Sequence, residues 1–212
     1  MPDRDTDTVP DGGVVRSPAA DGRSDYQYTS DDVERPELVA ALDPVVDGEV
    51  RFDTYTRQLY ATDASAYEVT PIGVVFPTST ADVASVVSYC ADREIPVLPR
   101  GGGTSLAGQT VNEAVVLDFT RHMDSVRDVD PDARDARVQA GTVPSDLNDR
   151  AAPPALTFGP HPAAGDRRAT RGAIRTHSPG AHSLVHEKTA PCAEAAAVTP
   201  ADATRTPSGH VP

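Results

Sequence analysis

The run Pro99-Arg100-Gly101-Gly102-Gly103-Thr104-Ser105-Leu106-Ala107-Gly108-Gln109 constrains this chain more than any other stretch. It follows Ile95-Pro96-Val97-Leu98, a short apolar segment that reads as a buried strand running into a turn. Three successive glycines can adopt φ > 0 and present bare N–H groups on a concave surface. Such a surface suits an anion, and a pyrophosphate is the usual large one. Thr104 and Ser105 add hydroxyl donors, and Arg100 can add a cation nearby. The same triplet also fits an ordinary glycine-rich turn, so taken alone it leaves both readings open.

Two common phosphate motifs do not fit these residues. The dinucleotide fingerprint Gly-x-Gly-x-x-Gly needs a third glycine where Leu106 stands. Gly103 to Thr110 has the P-loop spacing, but Gln109 occupies the place of the phosphate-binding lysine. Without that point charge on the terminal phosphates, a nucleoside triphosphatase is not indicated. The run instead closely resembles the FAD pyrophosphate loop of FAD-linked oxidases of the vanillyl-alcohol oxidase and p-cresol methylhydroxylase type. Within that family the resemblance is to the D-lactate dehydrogenase and glycolate oxidase flavoprotein branch. A second stretch, Phe52 to Tyr67, resembles the family segment Tyr-x-x-Asp-Ala-Ser, with Tyr60, Asp63, Ala64 and Ser65 in those places. On its residues alone, this stretch of mixed aromatic and polar groups reads as a partly buried loop.

The order of elements can be read around the loop. Residues 1–35 form an Asp/Gly/Pro/Ser-rich acidic leader with no period, expected to be disordered. Pro36 to Leu42 reads as a short helix capped near Asp32 and led by Pro36. Pro71-Ile72-Gly73-Val74-Val75-Phe76-Pro77 is a β-branched run fenced by prolines, hence a buried strand. Ser79 or Thr80 caps a helix reaching Arg93, with Val83, Val86, Val87 and Cys90 on its apolar face. Ile95 to Pro99 closes a right-handed βαβ unit and puts the glycine loop at its carboxyl end, where parallel sheets bind ligands. Val115-Val116-Leu117-Asp118 is a third strand. Asp130 to Asp135 reads as a charged loop, Arg137 to Val143 as a strand with Gly141 at a turn, and Pro144 as a helix start. The residues therefore predict an α+β fold. The resemblance specifies it as an FAD-binding domain of two α+β lobes, the second incomplete, with boundaries of 36–68 for the N-terminal family segment and 69–190 for the flavin domain. Within the latter, 69–120 is the first lobe and 121–190 a partial second lobe, followed by an irregular tail over 191–212.

Charge sharpens the domain reading. The formal net charge is −13, and Lys188 is the sole lysine among 19 basic residues. Acidity of this degree speaks against nucleic-acid binding, and an Asp-rich, Arg-over-Lys surface resembles proteins of salt-loving archaea. Residues 161–212 hold four acidic against six basic groups, which leaves a formal −15 on the first 160 residues. That tail also holds five of the six histidines and few large aliphatic residues, too few to offset the ordering of its backbone. The histidine spacings match no compact metal site, and Cys90 and Cys192 form neither a ligand pair nor a disulfide framework. No nucleophile-elbow sequence is present, and no apolar run approaches the length of a membrane span.

Beyond Pro160 the family pattern, Thr-Ile-Gly-Gly-x-Ile-Gly-x-Asn-Ser-x-Gly, is met only in part. Thr170, Gly172, Ser178, Gly180, His182 and Ser183 match, whereas Arg171 and Arg175 replace apolar and glycine positions, His177 replaces the asparagine, and Pro179 removes an N–H. These departures and the shift in charge suggest a damaged or frame-disrupted continuation, with a genuinely divergent tail as the rival explanation.

The resemblance implies non-covalent FAD, with the pyrophosphate on Gly101, Gly102, Gly103, Thr104 and Ser105 and the loop completed by Pro99, Arg100, Gly108 and Gln109. Pro160, Thr170, Gly172, Ser178 and Gly180 would approach the flavin from the other side, and a Cβ on Gly102 would block the phosphate. It further implies the flavin domain of a D-2-hydroxyacid dehydrogenase or oxidase acting on D-lactate or glycolate, with catalytic residues unassigned. The substrate domain or electron acceptor would be a separate chain, and the protein cytoplasmic, with membrane contact through its electron acceptor. The rival expectation is an inactive truncated remnant.

Overall fold

A computed structural model of the chain describes residues 33–153, 156–159, 167, 169–175, 195–198 and 206–209. The organising element is a four-stranded sheet built from β1 (Glu49–Arg51), β2 (Gly73–Phe76), β3 (Val97–Arg100) and β4 (Val115–Asp118), in the order β1-β2-β4-β3. β2, β4 and β3 run parallel, and β1 is antiparallel on the β2 edge. The predicted crossover from β2 to β3 therefore skips one position, which β4 fills. Every residue of β2 and β4 is buried, as expected for central strands covered on both faces. β3 is an edge strand, which is where Pro99 can sit without leaving a ladder acceptor unpaired.

Side-chain alternation divides the core between the two faces. Val75, Val115 and Leu117 face helix α3 (Thr80–Ala91), whose Val83, Val86 and Cys90 join Leu38 and Leu42 of α1 (Pro36–Leu42) and Phe52 in the larger cluster. Val74, Phe76 and Val116 face the other way, against Tyr60 and Leu98. Arg100 and Asp118 lie opposite each other in the β3–β4 register, at the carboxyl end of this second face.

The helix ends show which local signals were sufficient. The Ser79 hydroxyl caps α3 by accepting from the Asp82 amide at 3.1 Å. Buried Asp82 accepts from the amide and hydroxyl of Thr78, at 2.8 and 2.9 Å, and from the Asp47 amide at 3.3 Å. α3 ends at Ala91, just short of the expected Arg93, and Glu94 then takes the left-handed conformation at φ 54°. Pro36 leads α1 as predicted, but the N-cap is Arg35, itself left-handed at φ 55°, and not Asp32. The stretch expected to be a loop contains α2 (Thr54–Leu59), capped by the Asp53 carboxylate on the Thr56 amide at 2.9 Å.

The chain continues into an antiparallel hairpin of β5 (Val126–Asp130) and β6 (Asp135–Val138). The predicted turn between them is present, whereas β5 was not expected because its sequence, Val-Arg-Asp-Val-Asp, buries almost nothing. The strand placed at 137–143 ends early: β6 stops at Val138, and the amide of Gly141 turns back to the Met123 carbonyl at 2.8 Å. α4 (Pro144–Ala151) starts at Pro144 as expected, and α5 spans Thr170–Arg175. Within 191–212, expected to be irregular, β7 (Ala195–Val198) and β8 (Thr206–Gly209) pair antiparallel. Among the described residues no helix is long and apolar enough to cross a membrane.

Candidate functional site

The glycine loop leaves β3 at the carboxyl end of the parallel strands, where the sequence placed it. Gly103 and Gly108 adopt φ of 63° and 69°, the left-handed conformation that a side chain disfavours. Between them the Ser105 hydroxyl organises the tip. It accepts from the amides of Ala107 and Gln109 at 3.2 and 3.1 Å and donates to Gln109 Oε1 at 2.9 Å. The amides of Gly102, Gly103, Thr104 and Ser105 have no acceptor among the described residues. A run of neighbouring N–H groups without acceptors, bent through a left-handed glycine, is the geometry that receives a polyanion.

Two residues stand in the structure otherwise than the sequence suggests. Arg100 does not stand beside the loop as a free cation. Its side chain is buried, and its Nη1 donates to the carbonyls of Tyr60 (3.1 Å) and Thr110 (2.9 Å) while Nη2 donates to that of Thr62 (2.8 Å). Burial lowers its pKa, and Tyr60, Asp118 and Asp63 oppose that shift. Thr170 likewise has no donor to spare: its amide (2.7 Å) and hydroxyl (2.6 Å) both go to the Thr142 carbonyl. Gly172 lies in α5 with open space where a Cβ would stand. Pro160, Ser178 and Gly180 lie outside the described residues.

Gly102 is also more constrained than a phosphate contact would require. A Cβ there would lie 1.9 Å from the Arg167 carbonyl oxygen, so any side chain collides with the protein's own backbone. Arg167 and Gly102 line a cleft of about 340 Å³ together with Thr120, Asp124, Gly141, Val143 and Asp146. Its lining carries two carboxylates, Asp124 and Asp146, against the one guanidinium of Arg167, an acidic balance that disfavours a phosphate there.

Beneath the loop, Tyr60 donates its hydroxyl to Asp118 at 2.5 Å, and the amide and hydroxyl of Thr120 fill the other carboxylate oxygen at 2.7 Å each. Burial and the adjoining Asp118 carboxylate raise the Tyr60 pKa well above the usual phenol range, so the hydroxyl stays a donor. No local sequence signal marks this pairing, because 58 positions separate the partners.

Comparison with known proteins follows the same outline. The family model described as FAD binding domain matches residues 71–205. D-2-hydroxyglutarate dehydrogenase of Pseudomonas putida is 35% identical over 158 residues, which are 73% of this chain and 16% of that protein. Glycolate oxidase subunit GlcD of Bacillus subtilis is 28% identical over 143 residues, 66% of this chain and 30% of the subunit. Among solved structures, 6-hydroxy-D-nicotine oxidase of Arthrobacter nicotinovorans superposes with a TM-score of 0.68 at 22% identity, over 77% of this chain and 36% of that one, which shows a shared fold. The chain thus spans less than a third of the length of these two curated relatives. An α+β sheet with a glycine loop at its carboxyl edge, matched by the family model over most of the described fold, leads to one conclusion: the chain belongs to the FAD binding domain family, and its cofactor is FAD.

Proposed function

We propose that the amides of Gly102, Gly103, Thr104 and Ser105 receive the FAD pyrophosphate, with Gly101, Gly108 and Gln109 shaping the loop around it. The observation that carries this reading is the run of four amides that find no acceptor among the described residues, around a left-handed glycine. An anion satisfies several such donors at once, and in a partly dehydrated loop each bond to a charged acceptor contributes about 1.5–3 kcal/mol. Bound here, FAD supplies a two-electron acceptor for substrate oxidation. The chain's own groups bind and orient: Ser105 holds the loop tip, and Asp124 and Asp146 disfavour phosphate in the cleft beside Gly102.

On this reading residues 69–190 are the flavin domain of a D-2-hydroxyacid dehydrogenase, the class named for its hydroxyglutarate and glycolate relatives. Lactate, glycolate and hydroxyglutarate share an α-hydroxy carboxylate, which is the substrate class we assign. Its carboxylate and α-carbon need a binding surface over the flavin, and we assign that surface to a separate substrate-domain or electron-accepting chain. The working complex would then be cytoplasmic, meeting a membrane only through its acceptor.

The test is equilibrium dialysis of the purified chain against FAD, in high salt to screen its net charge of −13. Retained flavin absorbance, competed by ADP but not by adenosine, supports pyrophosphate recognition. A colourless chain that is folded by circular dichroism refutes it. Retained flavin without hydroxyacid turnover, with or without a candidate partner chain, leaves a binding module and sinks the dehydrogenase assignment.

A further inference from the structure

The segment Tyr60 to Ser65 precedes the family match, which begins at residue 71, yet its hydrogen bonds reach both Gly103 and Thr110 of the glycine loop. Asp63 accepts from the amide and hydroxyl of Thr110 through one oxygen, at 3.3 and 2.8 Å. Its other oxygen accepts from the amide and hydroxyl of Ser65, at 2.9 and 2.5 Å. The next residue, Ala64, donates its amide to the Gly103 carbonyl at 3.0 Å. From beneath, Arg100 joins the carbonyls of Tyr60 and Thr62 to that of Thr110. Both ends of the loop are therefore fastened to one short segment. A carbonyl on Gly103 that is engaged by Ala64 also orients the peptide whose N–H belongs to Thr104.

The fastening is electrostatically consistent. Burial tends to raise the Asp63 pKa, but the hydrogen bonds from Ser65 and Thr110 outweigh it and hold the carboxyl below its ordinary range. Asp63 is thus an ionised, acceptor-only group at neutral pH and can use both oxygens on donors. Arg100 supplies donors in a fixed fork, which is why one side chain can hold two segments in register.

We infer that Asp63 and Arg100 are positioning residues of the cofactor loop, clasping residues 103–110 to the segment 60–65 so that the amides of 102–105 converge before FAD arrives. The inference rests on the reading of that loop as the pyrophosphate site. A preorganised loop loses less freedom on binding, so breaking the clasp should weaken FAD without unfolding the sheet.

The experiment uses the full chain with Thr110→Val, which deletes the hydroxyl bonded to Asp63, and Thr110→Ser, which keeps it. Amide hydrogen exchange is measured without FAD, and FAD affinity by fluorescence titration. In Thr110→Val, exchange at Ala64, Ala107 and Gln109 should quicken about tenfold and FAD affinity should fall about tenfold, the loss expected for one hydrogen bond to a charged group. Exchange at Val74–Phe76 and Val115–Leu117 should be unchanged, and Thr110→Ser should stay within about twofold of wild type on both readouts. Unchanged loop exchange in Thr110→Val, or acceleration shared equally by the sheet, overturns the clasp. A wild-type chain that binds no FAD, while Thr110→Val still frees the loop amides, overturns the cofactor reading and supports the clasp.

Discussion

Two glycines of the loop share a left-handed backbone but not the same surroundings, and that difference predicts different costs for the same substitution. In Gly103→Ala the new Cβ would lie 2.7 Å from Arg100 Nη2, the atom that donates to the Thr62 carbonyl. In Gly108→Ala it would lie 2.7 Å from Cδ2 of Tyr67, whose side chain is 62% exposed and can swing into solvent. Placing alanine in the left-handed region costs about 1–2 kcal/mol at either position. Only Gly103→Ala also displaces a buried guanidinium, and losing its hydrogen bond adds about 1.5–3 kcal/mol. The expected destabilisation is therefore about 2.5–5 kcal/mol for Gly103→Ala and about 1–2 kcal/mol for Gly108→Ala. Urea unfolding followed by far-ultraviolet circular dichroism gives both values on one scale. Equal costs, or the reverse order, would refute the assignment of Arg100 as a buried structural tie.

Other perturbations test the rest of the fold. Burial raises the Asp82 pKa, but its bonds from Thr78, Ser79 and Asp47 outweigh that and lower it, so Asp82 stabilises the fold above the unfolded carboxyl pKa of about 3.9 and loses that effect as pH falls through the lowered folded value. Asp82→Asn should cost about 1.5–3 kcal/mol at pH 7 and progressively less below about pH 4 in chemical denaturation. Burial pushes the Cys90 thiol up to about 11, so that thiol should resist iodoacetamide at pH 8 in the folded chain and react in urea, as mass spectrometry of the Cys90 peptide would show. Leu117→Ala, at 1% exposure, should cost about 2–5 kcal/mol, whereas Leu106→Ala, at 80% exposure, should stay within about 0.5 kcal/mol by the same unfolding assay. Gly102→Ala should destabilise the chain even without FAD, because it meets the Arg167 carbonyl; an unchanged melting temperature would contradict that contact.

Period and punctuation made the sheet legible. β2 and β4 are short β-branched runs with no polar residue before Asp118, and Ser79 with Asp82 marks the start of α3 three residues apart, so the local signals agreed with the fold. The glycine loop was legible because positive φ and close approach demand that residue type. What stayed hidden depends on distant partners. Arg100 looks like a phosphate ligand in sequence because an arginine beside a glycine triplet is usually solvated; its burial under Tyr60 follows from the β3–β4 register, which places it opposite Asp118. Thr170 looked like a cofactor donor, yet its partner is the carbonyl of Thr142, 28 residues earlier. β5 escaped because a solvated hairpin needs no apolar alternation, and α2 because six residues show less than two turns of periodicity.

On the proposed function, the amides of Gly102 to Ser105 hold the FAD pyrophosphate, and this contact underlies every other role assigned to the loop. It is tested most directly by the amide proton–nitrogen spectrum of the isotopically labelled chain during titration with FAD. The largest shifts should fall on Gly102, Gly103, Thr104 and Ser105, saturate with the flavin signal, and be reproduced by ADP but not by riboflavin. Saturable FAD binding that leaves those four amides unmoved would contradict it.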